Sequence, residues 1–98
     1  MITKKLIPKT SIIKPPVSQK LKAGLFVLKK GEEVGEHVAV DREEVIIILQ
    51  GKATVTIENE IQIVEKDYVI YIPPNKKHNI KNDFDEELKY IYAVTLLN

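Results

Sequence analysis

The sequence predicts an all-β single domain, a barrel or sandwich built from about nine short strands. Three observations carry that reading. The apolar residues, rich in Ile and Val, fall in short runs and show no sustained helical period. Turn formers such as Gly31, Gly35, Gly51 and the Pro73-Pro74-Asn75 triplet punctuate those runs at regular spacing. A length of 98 residues with 44% hydrophobic content suits one compact core.

Residues 1–20 hold three of the five prolines. Proline removes a ladder donor, so any strand there is an edge strand, and the segment reads as an extended arm preceding a barrel over 21–98. Residues 21–30 form a strand candidate in which Gly24 marks a bend or a close approach. Gly31 and Gly35 bracket a turn before a short strand over 37–40. The polar residues 41–43 lead to a strand over 44–50, whose apolar run is β-branched until Leu49. Residues 52–58 alternate polar and apolar, as a half-buried strand does. A tight hairpin follows at Glu58-Asn59-Glu60, with Asn59 expected to take the positive φ. Strands over 61–65, 68–72, 77–81 and 88–97 complete the chain.

Glu44 opens an apolar strand, where an unpaired buried carboxylate is costly; it must face water, a partner charge or a metal. The chain has only two histidines, His37 and His78, each near a strand end or corner. At these residues the sequence resembles a small single-domain cupin. The usual first cupin motif is a Gly, five residues, His-x-His, three or four residues, Glu, six residues, Gly. Here it runs through Gly31, His37, Glu44 and Gly51, with Ala39 standing where the second His belongs. The second motif maps onto Asp67, Pro73, Asn75, His78 and Asn82. Asp67 and Asn75 stand in for glycines, and both residue types suit turns.

The resemblance implies an all-β cupin-type barrel, that is, a double-stranded β-helix or jelly roll. It also implies that His37, Glu44 and His78 point into the lumen from three strands. Two imidazoles and one carboxylate form the ligand set of non-haem Fe(II) sites and also suit Zn²⁺; Mn, Ni and Co fit as well. Position 39 shares a face with His37, so Ala39 removes one ligand of a four-ligand site. The expected function is thus binding of one divalent metal, with oxygenase- or isomerase-type chemistry on a small polar organic substrate. The alternative is a metal-free cupin that binds or senses a small molecule. Each His also has a plainer reading as a surface or hydrogen-bonded core residue, and Glu43-Glu44 as a solvated turn pair. Such arms often pair across a cupin dimer, so a homodimer is expected; the arm's isoleucines then bury against the partner or against their own barrel.

Alternation places Ile46, Ile48 and Gln50 on the inner face with Glu44, Gln50 as a pocket contact or a strand-end residue. Tyr90 and Tyr92 share a face, and packing is preferred to pocket lining for both. Asn82 is expected to order the turn after His78. A net charge of +1 with interspersed Lys and Glu argues against a nucleic-acid partner. Without cysteine there is no disulfide framework and no thiolate ligand. No apolar run approaches a membrane span, and no signal peptide is evident, so a cytoplasmic location is expected. Abundant Ile, Lys and Glu give a thermophile-like composition.

Overall fold

The computed structural model describes residues 1–97. Nine strands form: β1 (Thr10–Ile13), β2 (Leu21–Leu28), β3 (His37–Val38), β4 (Arg42–Gln50), β5 (Lys52–Ile57), β6 (Glu60–Glu65), β7 (Val69–Ile72), β8 (Lys77–Lys81) and β9 (Leu88–Leu96). Among the described residues there is no helix, and hence none long and apolar enough to cross a membrane. The all-β class expected from the sequence is the one that forms.

The strands make two antiparallel sheets, one ordered β1-β2-β9-β4-β7 and the other β3-β8-β5-β6. Their inner faces meet over a core that includes Leu28, Ile46, Ile48, Val55, Ile72, Ile80 and Leu88. The period-2 pattern explains the split. In β5, Ala53 and Val55 are buried, while Lys52 is exposed and Thr54 between them only partly buried. In β4, Ile46 and Ile48 are buried and the intervening Ile47 is exposed.

The corners are set by backbone chemistry. Gly51 turns the chain at φ 81°, and Asp67 and Asn75, the two stand-ins for glycine, both take the left-handed region at 73° and 63°. Asn75 is held there from both sides. Its N–H donates to the Ala39 carbonyl (3.1 Å), and its side-chain oxygen accepts from the Asp41 N–H (3.0 Å). The Pro73-Pro74-Asn75 corner is therefore tied to the loop between β3 and β4.

The hairpin between β5 and β6 differs from expectation. Ile57 pairs with Glu60, which leaves a two-residue loop, and the positive φ falls on Glu58 and not on Asn59. A two-residue loop closes equally with the left-handed residue first, as type II′ turns do. At the N-terminus, β1 pairs with β2 of the same chain, and the Lys9 N–H donates to the Leu25 carbonyl.

Gly51 offers a clean test. A Cβ there would stand 2.7 Å from the Glu87 carbonyl oxygen, whereas a Cβ on Gly31, at a similar φ of 84°, would meet nothing within 4 Å. Gly31→Ala is expected to cost about 1–3 kcal/mol through its backbone conformation alone. Gly51→Ala should cost clearly more, read as a lower urea midpoint at unchanged m-value. Equal losses would mean that the Glu87 contact is relieved freely.

Candidate metal centre

His37 and His78 are direct cross-strand partners on β3 and β8, and their ring centroids lie 4.1 Å apart. Glu44 belongs to β4, in the opposite sheet, and reaches across the lumen until its Oε1 lies 3.8 Å from His78 Nε2. The structure thus brings all three sequence-predicted residues to one cavity of about 530 Å³. His78 is buried, the Glu44 side chain is 16% exposed, and His37 stands exposed at the rim.

Both rings are oriented by their own local backbone. His37 Nδ1 lies 2.8 Å from the Gly35 carbonyl and His78 Nδ1 3.2 Å from the Lys76 carbonyl. A carbonyl only accepts, so each neutral ring carries its proton on Nδ1 and leaves Nε2 as a lone pair. That arrangement is common around metal-ligating imidazoles, where the second nitrogen fixes the tautomer.

Burial governs the charges. It pushes the Glu44 carboxyl above its ordinary range, an effect partly offset by the nearby His37. Burial likewise pushes His78 down, against the Lys76 carbonyl contact and with the His37 charge. Tyr90 is held above the usual phenol range by burial first, then by Glu44 and Tyr92. Burial thus favours the neutral forms of His78, Tyr90 and Glu44 alike.

The donor chemistry fits a divalent metal: two freed imidazole nitrogens and a carboxylate. The side-chain placement is not closed around a point. Among the described residues no three His, Cys, Asp or Glu side chains stand where together they could hold an ion. Metal bonds of about 2.1 Å put neighbouring donors roughly 3.0–3.4 Å apart, so the 3.8 Å between His78 and Glu44 is a few tenths of an ångström too wide.

The wall of the cavity was only partly foreseen. Tyr90 and Tyr92 line it and also pack on Phe26, with centroids 5.6 and 5.4 Å away, Tyr90 as a buried member of the core, so packing and pocket lining coincide. Their face is set by β9 being central in its sheet, which local sequence does not reveal. Gln50 lies past a bulge in the β4–β9 ladder and donates to the Glu87 carbonyl, as a strand-end residue. Asn82 is fully buried; its amide donates to the Leu28 and Glu86 carbonyls and its oxygen accepts from the Phe84 N–H, ordering that turn. Ser11, Lys22 and Arg42 also line the cavity and were not singled out. The alternation of Lys22, Gly24 and Phe26, and of Arg42 with Glu44, carries the signal for the last two. A groove of about 540 Å³ between β6 and β7 holds no histidine and lies away from this chemistry.

The cupin domain family matches residues 24–94. Polyketide synthase CurC of Streptomyces cyaneus is 27% identical over 74 residues, 76% of this chain and 48% of that protein. Uncharacterized protein MJ1618 of Methanocaldococcus jannaschii is 34% identical over 65 residues, 66% of this chain and 52% of that protein. The chain thus spans about half the length of these curated relatives. Among solved structures, the Schizosaccharomyces pombe Cnp3 cupin domain superposes with a TM-score of 0.82 at 25% identity, covering 89% of this chain and 62% of that one.

The site makes a stability prediction for metal-free protein. Because the folded-state pKa of Glu44 is raised, its contribution to stability is fully present below the unfolded value and is lost as pH rises through the folded one. Glu44→Gln removes that liability, so it should raise the melting temperature near neutral pH and do so less in acid. His78 acts with the opposite sign, its contribution being lost on acidification below the ordinary histidine range. A less stable Glu44→Gln protein at neutral pH would show that the carboxylate is fully compensated.

Proposed function

The chain belongs to the cupin domain family, and on that premise we propose that its barrel binds one divalent transition-metal ion through His37, Glu44 and His78. The observation that carries this reading is the orientation of the two rings, whose Nδ1 atoms face the Gly35 and Lys76 carbonyls and free both Nε2 atoms. The burial of Glu44, only partly offset by His37, supports it, because a cation would relieve the cost of desolvation. A metal so held, whether Fe, Mn, Ni, Zn or Co, supplies Lewis acidity and open coordination positions.

The protein's own side chains do the remaining work on a small organic substrate of an oxygenase or isomerase type of reaction. Phe26, Tyr90 and Tyr92 give the cavity an apolar wall that displaces water. Tyr90, held neutral, serves a bound molecule as a hydrogen-bond donor and not as a base. Ala39 stands where the family pattern has a further histidine and leaves room at that side of the cavity, which it also lines. The name of the relative from Streptomyces cyaneus supports small organic molecules as the class of ligand.

A second reading, a metal-free module that binds or senses a small molecule, is favoured by the open arrangement of the three donors. We read the protein as a homodimer in either case, with the 1–20 arm at the interface. The arm's exposed Ile2, Leu6, Ile7 and Val17 support that placement.

Elemental mass spectrometry after incubation with each metal decides between the readings. The expected result is near one metal per chain, lost in the His37→Ala/His78→Ala double variant. Retention of no metal under any condition would leave the binding module. Ala39→His should restore a fourth ligand and tighten metal binding by about tenfold or more; unchanged affinity would mean that position 39 does not face the ion.

A further inference from the structure

We propose that the cavity selects a small organic anion, a carboxylate with an apolar body, and that Lys22 and Arg42 hold its acid group. This deepens the reading of the cavity as a small-molecule site and rests on it. The argument starts from register. Lys22 on β2 is paired with Val94 on β9, and Val94 with Glu44 on β4. Cross-strand partners share a face of the sheet, so Lys22 points to the same inner face as Glu44. Arg42, two residues before Glu44, shares that face as well. Both cations line the cavity with the histidines.

Lys22 is half-buried and Arg42 exposed, and among the described residues neither forms an ion pair. Lys30, Lys77 and Lys81, on other parts of the surface, do have acidic partners. The contrast extends outward. The adjoining depression, about 320 Å³, shares Lys22 and Arg42 with the cavity and adds Lys14 and Lys20, with no acid in its lining. Glu44 is the sole acid lining the cavity itself. The neighbouring Glu43 belongs to the other face of β4 and accepts a hydrogen bond from the Tyr71 hydroxyl. One end of the barrel thus presents four cations leading to the site, in a chain whose 15 basic and 14 acidic residues nearly balance. Such a one-signed rim around a low-dielectric cleft concentrates anions.

The row below the cations completes the fit. Ser11 Oγ and Tyr92 Oη lie 2.8 Å apart above Gly24, giving hydroxyls beside the charged rim. Deeper still, Phe26, Ile46, Ile80 and Tyr90 offer apolar surface. Charge at the mouth and apolar surface within suit an amphipathic acid. A neutral molecule of the same shape would leave the two cations unmatched.

The test is calorimetric titration of the full chain with benzoate and with its neutral isostere benzamide, on chelator-stripped and on metal-loaded protein. The expected result is benzoate binding that is weakened by about tenfold in Lys22→Gln and in Arg42→Gln, is retained in Lys22→Arg, and is weak or absent for benzamide. Lys30→Gln, on another part of the surface and paired there with Asp85, serves as the control and should change little. Equal binding of benzoate and benzamide, or benzoate binding indifferent to both substitutions, overturns the inference, as does failure of the wild-type chain to bind benzoate. The two readings fail separately. Charge-dependent benzoate binding by protein that takes up no metal sustains the inference and removes the metal. Benzoate binding only in loaded protein, insensitive to Lys22 and Arg42, does the reverse.

Discussion

The register of β9 between β2 and β4 is the constraint on which the lumen depends. Because side chains alternate along a strand, a slip of one residue would turn the whole inner face of β9 outward. The observed pairing sets Tyr92 between Gly24 and Ile46, and Val94 between Lys22 and Glu44. Each row of the wall is therefore composed by three strands at once. Gly24 is needed in this scheme because a Cβ there would lie 2.6 Å from the Tyr92 hydroxyl and 2.5 Å from the Thr10 carbonyl oxygen.

The second sheet contributes the opposite half of the site through a much shorter element. β3 spans only His37–Val38, yet its ladder with β8 fixes the two rings against one another. A two-residue strand has little holding power of its own. Its position is secured from outside, by the Asn75 contacts to Ala39 and Asp41 and by the Val34 N–H bonded to the Ile80 carbonyl. The Gly35 N–H adds a further anchor by donating to the Asn79 side-chain oxygen at 2.9 Å. Glu44 comes from one sheet and His37 from a tethered rim strand of the other, and the donors approach one another without enclosing a point.

Much of this was legible in the sequence, for reasons that differ from residue to residue. The strands were visible because period-2 alternation and β-branched runs are local properties, as in residues 52–57. Asp67 and Asn75 were readable as corners because few residues tolerate positive φ, and both take it. His37, Glu44 and His78 were found through motif spacing, and the structure does bring them to a single cavity. The positive φ of the hairpin was misplaced by one residue, since a two-residue loop admits more than one turn type. Tyr90, Tyr92, Lys22 and Arg42 were harder, because their roles follow from which strands become neighbours across long separations in the chain. Local alternation tells which residues share a face but not what that face looks upon.

The segment matched by the cupin family begins at residue 24, and two contributors to the cavity wall, Ser11 and Lys22, come before it. Ser11 reaches the wall because it pairs with Gly24 in the β1–β2 ladder, which sets its hydroxyl 2.8 Å from that of Tyr92. Part of the cavity wall is accordingly encoded before the segment that the family matches. Two chains that align well throughout that segment can then diverge in the molecules they accept, and a likeness confined to the segment transfers architecture more safely than it transfers specificity.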